Sequence, residues 1–288
     1  MTKIRKRSKE IQDFILENVE KNPQNIAGKA AEKFGLSRQA ISRHIRKLVD
    51  NKILIAEGTT RNRKYSLAIL DDLSWEFPIE GLEEDKVWRI NIRPLLSGYP
   101  KNIIDIFDYG VTEMINNAID HSEGDTVKVT LHHTAVSASL FIEDNGIGIF
   151  NNLQNKLDLD DPRHAVLELS KGKLTTDPKH HSGEGIFFTS RMFDSYALAS
   201  GQLHLAHLAK QNSVEGTDWL LEDQENFDGT IVMLNIRVNS SRTVKGVFDY
   251  YTTAGEYGFD KTHVPVFLAT YGDENLISRS QAKRLLTR

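Results

Sequence analysis

The chain contains no cysteine among its 288 residues. That excludes disulfides, thiol catalysis and cysteine-ligated metals, and it fits a reducing compartment. No run approaches the ~18 consecutive apolar residues of a membrane span. The opening stretch, MTKIRKRSKEIQDF, is basic without an apolar core behind it, which argues against a secretory signal. Internal repeats and low-complexity tracts are missing too. These absences point to a cytoplasmic protein with no membrane partner. What is present is ordinary for a folded protein: 39% hydrophobic and 26% charged residues. The length suits two domains.

The net charge of −4 hides an asymmetry. Residues 1–68 carry 16 Lys/Arg against 7 Asp/Glu, a net of +9, whereas the rest carries 20 against 33, a net of −13. A basic N-terminal part on an acidic body points to a polyanion partner for that part alone.

Within it, Ile11, Phe14, Ile15 and Val19 fall at helical spacing over residues 8–21, with Ser8 as the expected N-cap. A second helix is expected over Asn25–Phe34, ended by Gly35. A third is expected over Ser37–Asn51, with Ile41, Ile45, Leu48 and Val49 inward. Its outward residues are Arg38, Gln39, Ser42, Arg43 and Arg46. Residues 53–56 and 65–67 read as a hairpin whose tip carries Arg61, Arg63 and Lys64. Arg suits guanine edges, Gln suits adenine, and the hairpin cations suit phosphates. A solvated basic face for protein contacts is the other reading. Over residues 8–68 the pattern resembles winged-helix transcription regulators. The resemblance implies duplex DNA as partner, with the third helix in the major groove.

Beyond it, residues 69–100 read as a connector with a strand at Val87–Ile92. A long helix is expected over 101–121 and strands over 126–132 and 137–142. A mixed, polar segment follows over 150–182. Then come a helix over 184–193 and strands within 196–209, 217–221 and 230–238. The expected division is 1–70, 71–100, 101–240 and 241–288.

Four separated fragments stand out in the acidic part. In VTEMINNAIDHS, Glu113, Asn117 and Asp120 share one stripe of a helix. A carboxylate and an amide one turn apart can hold a hard cation such as Mg²⁺, although a solvated polar face looks the same. In FIEDNGIGI, Asp144 ends a strand and can accept from an adenine amino group. Gly146 and Gly148 allow a tight backbone path there, or simply a turn. In HHSGEGIFFTSRMF, Gly183 and Gly185 precede a helix whose N-terminus can face phosphate. In GTIVMLNI, Thr230 opens a strand with a hydroxyl.

Together and in this order, over about residues 85–238, they resemble the Bergerat-type or GHKL ATPase family, which includes gyrase, histidine kinases and MutL. The resemblance implies an α+β protein: a winged helix-turn-helix followed by a Bergerat-type α/β sandwich, a mixed sheet with helices on one face. It implies ATP and Mg²⁺ as cofactors. Asp144 would hold adenine, Thr230 would support it through water, and Asn117 would take Mg²⁺. Glu113 would act as general base or position water. Gly146, Gly148, Ser182, Gly183 and Gly185 would shape the nucleotide walls, Asp120 would stand near the adenine side, and 150–182 would form the lid. The lid cations Arg163, Lys171, Lys173 and Lys179 suit a triphosphate but equally suit solvent.

The fragments EMINNAIDHS and SGEGIF are similar to those of anti-sigma-factor serine kinases. None of the ten histidines is followed by Asp or Glu, which argues against histidine autophosphorylation. His204 and His207, three apart in an expected strand, face opposite ways and suit no metal. The tail, with a helix at 243–253, a strand at 263–271 and a helix from Ser278, resembles the start of a STAS-like module. That implies a partner of STAS or sigma-factor type. The reading is an ATP-binding transcriptional regulator acting as a homodimer. A serine/threonine kinase, or a slow ATPase whose winged helix binds protein, are the alternatives.

Overall fold

Helix α1, Lys3–Asn18, starts earlier than the capping pattern suggests. Ser8 lies inside it, because the Arg and Lys residues ahead of it are good helix formers and no Gly or Pro stands among them. The computed structural model describes residues 3–59, 62–171, 184–210, 213–251 and 266–270. These fall into two units, Met1–Leu73 with His132–Ala138, and Ser74–Leu131 with Ser139–Arg288.

In the first unit, α2 (Ile26–Phe34) ends at Gly35, whose φ of 61° supplies the left-handed cap. Helix α3 (Arg38–Asp50) starts where Ser37 Oγ accepts from the Ala40 amide at 3.2 Å. Strands β1 (Leu54–Glu57) and β2 (Lys64–Leu67) pair antiparallel, Leu54 opposite Leu67. Ile15, Val19, Ile26, Ile41, Ile45 and Leu48 form the core between the three helices. Phe14 meets Phe34 edge-on at 5.6 Å. This is a winged helix-turn-helix built as the apolar spacing predicts.

The second unit is an α/β sandwich. Its sheet includes β3 (Asp71–Pro78), β4 (Thr126–His133), β5 (Ser137–Asp144), β6 (Ser195–Ala209), β7 (Gly216–Arg237) and β8 (Val266–Thr270). The strand order is β3-β4-β5-β7-β6, with β8 parallel to β7. Helix α5 (Lys101–His121) buries Ile103, Ile106, Phe107, Val111, Met114 and Ala118 at three- and four-residue steps. It packs with α8 (Gly185–Met192) against the sheet. Gly110 lets them close: a Cβ there would come 2.6 Å from the Phe193 ring.

Three expectations change. Val87–Ile92 is not a strand but a π-helical turn continuing α4 (Glu84–Lys86). Val87, Trp88 and Ile92 are buried while Ile90 is exposed, so a short apolar alternation hides a helical spacing. The connector's strand is instead β3. The mixed segment expected over 150–182 forms two helices in its described part, α6 (Ile149–Leu157) and α7 (Pro162–Lys171), and residues 172–182 lie outside the described residues. In the tail, α9 (Val244–Tyr251) forms as expected, and β8 extends the existing sheet, Asp218 opposite Val266. The helix expected from Ser278 lies outside the described residues. Among the described residues, no helix is long and apolar enough to cross a membrane.

Candidate nucleotide site and nucleic-acid face

The four fragments meet. Asn117 of α5, Asp144 of β5, Ile186 of α8 and Thr230 of β7 line one cleft, with apolar walls from Met114, Ala118, Ile142, Leu198 and Val232. The cleft is narrow, with a free volume of about 30 Å³.

Asp144 is fixed at the cleft by the strand end and by two amides. Gly146 N and Thr230 N donate to its Oδ1 at 3.0 and 3.2 Å. Burial pushes its carboxyl up from the usual range, and these donors pull only part of the way back. The Thr230 hydroxyl accepts from the Ile149 amide at 3.1 Å. Gly229 makes this junction possible: its φ is +74°, and a Cβ would fall 1.9 Å from the Asp144 carbonyl oxygen. Just opposite, the β6–β7 register slips between Ser200 and Leu203, a bulge that re-aims β7 beside Thr230. Gly148, at φ +83°, leads into α6.

Asn117 Nδ2 is buried without a hydrogen-bond partner, so its amide is uncommitted within the protein. Glu113 lies one turn before it. A Cβ on Gly185 would stand 2.1 Å from Glu113 Oε2, so the first residue of α8 abuts that carboxylate. Burial, then the charges of Glu113 and Glu184, push the Tyr109 hydroxyl up, which marks a locally acidic corner. Asp120 is exposed and does not line the cleft, whereas its neighbours His121 and Ser122 do. Ser182, Gly183, Lys173 and Lys179 lie outside the described residues, as does the side chain of Lys171. Arg163 is engaged with carboxylates: Nη2 reaches both Glu222 oxygens at 2.7 Å and Nη1 reaches Asp161 at 3.1 Å.

Sequence reasoning misses two features here. Asn152 of α6 is buried and donates from Nδ2 to the His121 carbonyl, tying α6 to the end of α5. Arg191, His207 and Asp218 form a buried charged cluster behind α8. No spacing rule joins residues from a helix and two strands. An Arg inside the buried α8 is the one signal that could have drawn the eye.

On the first unit, Arg38, Gln39, Ser42, Arg43 and Arg46 are all exposed on α3, and Arg63 and Lys64 are exposed on the hairpin. Arg61 lies outside the described residues. The Ser42 hydroxyl donates to the Arg38 carbonyl at 2.8 Å, so it is partly spent on its own helix.

Residues 104–237 match the family model for histidine kinase-, DNA gyrase B-, and HSP90-like ATPases. Over that stretch the chain is similar to ATPase domains of this type. No curated protein matches the chain. Among solved structures, an IclR transcriptional regulator from Alicyclobacillus acidocaldarius aligns over 84% of this chain and 91% of its own, at 15% identity and a TM-score of 0.24. A superposition that loose says nothing about function.

Proposed function

We propose that the protein is a nucleotide-responsive transcriptional regulator: the cleft binds ATP with Mg²⁺, and the winged helix binds duplex DNA. The observation that carries the first half is the convergence of Asn117, Asp144, Ile186 and Thr230 on one cleft from four distant stretches of chain. In this reading the ionised Asp144 accepts from the adenine amino group while Thr230 holds the same edge. Asn117 offers a hard oxygen donor of the kind Mg²⁺ prefers, and Glu113 one turn before it would position water. Bound Mg²⁺ would neutralise charge on the phosphates. The α8 N-terminus, where the helix dipole favours an anion, would face the phosphates. The second half rests on the exposed cations of α3 and the hairpin, set on a segment of net charge +9. ATP alters DNA affinity only if it binds two arrangements of the chain unequally. A homodimer would double that bias across two half-sites.

Calorimetric titration with ATP and Mg²⁺ tests the site. Asp144→Asn should weaken binding by about 100-fold, and a normal affinity in that variant would sink the nucleotide reading. A serine/threonine kinase is favoured instead if the same cleft passes ³²P from ATP to a protein hydroxyl. In that reading Glu113, which abuts Gly185 at the start of α8, would accept the proton.

A further inference from the structure

Behind α8 lies a charged cluster that the nucleotide reading does not use. Arg191, in the last turn of α8, donates from Nη1 and Nη2 to the two oxygens of Asp218 on β7, at 2.5 and 2.7 Å. His207 Nδ1 on β6 sits 2.6 Å from Asp218 Oδ1 and beside Arg191 Nη1. Arg191, His207 and Asp218 are each 2% exposed. Burial pushes the Asp218 carboxyl up, but the bonds and charge of Arg191 and His207 outweigh it and hold the group below the usual range.

As a stabilising device the cluster is poor. Buried ion pairs are often no better than apolar residues of the same volume. This one also leaves Arg191 Nε and His207 Nε2 buried without partners, which costs stability. What a planar two-pronged pair does well is fix direction. An apolar contact tolerates a small slide or rotation of the helix, and this pair does not. The neighbours add to the constraint. The guanidinium lies 4.8 Å above the Phe187 ring. A Cβ on Gly216 would come 2.2 Å from the His207 ring, so the sheet leaves the imidazole no slack. Phe248 and Tyr251 of α9 meet Phe188 at 4.1 Å and Phe187 at 5.2 Å.

The same helix carries two cleft features at its other end. Ile186 lines the cleft and Gly185 abuts Glu113, six residues and about 9 Å of helix from Arg191. A small rotation of α8 therefore moves the wall that meets the nucleotide. We infer that Arg191 and Asp218, buttressed by His207, are positioning residues: their buried pair holds α8 in the orientation that presents Gly185 and Ile186 to the nucleotide. The inference rests on the nucleotide reading above.

The test uses the full chain with Arg191→Met, Asp218→Leu and His207→Leu combined. This replacement keeps the site filled and should melt near the wild type. In the nucleotide-free protein, amides of residues 186–192 should exchange about tenfold faster than in the wild type, with α5 amides unchanged. Affinity for ATP with Mg²⁺ should fall about tenfold, and affinity for adenosine less. Unchanged α8 exchange with unchanged ATP affinity overturns the inference, as does an equal loss throughout the fold. Should the triple variant fail to fold, Arg191→Lys keeps the charge but loses the fork, and the same two readouts decide. Asp144→Asn separates the two claims. It should lose ATP without altering α8 exchange. If the wild type binds no ATP, the nucleotide reading fails by itself, and the exchange measurement still judges the anchor.

Discussion

The basic face of α3 and the cleft around Asp144 are both candidate anion-recognition surfaces, yet they are built on opposite principles. On α3 the side chains are exposed, lie on one element, and act through charge that water and salt screen. In the cleft the groups are largely desolvated, come from four elements, and depend on geometry that one misplaced residue spoils. The first kind of site should degrade gradually under mutation, and the second should fail abruptly.

Experiments can break that contrast. The largest effect is expected from Glu113→Ala, which should keep ATP binding but lower any turnover by about 10²–10⁴-fold. Unchanged hydrolysis removes Glu113 from the chemistry. Next, Asp144→Asn should weaken ATP binding by about 100-fold, the scale of a lost charged hydrogen bond. Wild-type affinity should also decline on acidification, beginning at a higher pH than an ordinary aspartate would give, because burial raises that carboxyl and protonation removes the acceptor. Affinity flat down to the usual aspartate range contradicts this.

The exposed face should behave differently. Neutralising Arg38, Arg43 and Arg46 together should leave the fold intact and reduce the slope of log K against log salt for DNA by about 3. An unaltered slope assigns that face to protein contacts. Ser37→Ala, which removes the α3 cap, should cost about 1 kcal/mol in denaturant unfolding of the first unit.

The smallest expected effect concerns pH and stability. His207 is held below its ordinary value, first by burial. It thus binds its proton more readily in the unfolded chain, and stability is full above about pH 6.5 and declines below it. His207→Asn, whose amide can still donate to Asp218, should flatten the melting-temperature profile between pH 7 and 6. A profile as steep as the wild type's assigns the decline to other groups.

How much of this was legible in the sequence differs between the two units for the same reason. In the first, Ile41, Ile45 and Leu48 fix which side of α3 is inside, so the exposed set follows from a 3.6-residue period. In the second, the same logic placed α5 from Lys101 to His121 and the strand ending at Asp144. It misjudged Val87–Ile92, because six residues cannot separate a strand period from a helical one. Asp120, which the resemblance set near the adenine side, is exposed, while the next residues, His121 and Ser122, line the cleft.

The sequence by itself determined the local elements, the charge division at residue 68 and the chemical types available to a nucleotide site. Those depend on neighbours along the chain. Tertiary structure alone decided that Asn117, Asp144, Ile186 and Thr230 share a cleft, that Glu222 engages Arg163, and that Arg191 finds Asp218 and His207. Such contacts join residues tens of positions apart. Their energies come from desolvation and direction in space, which no period in the chain records.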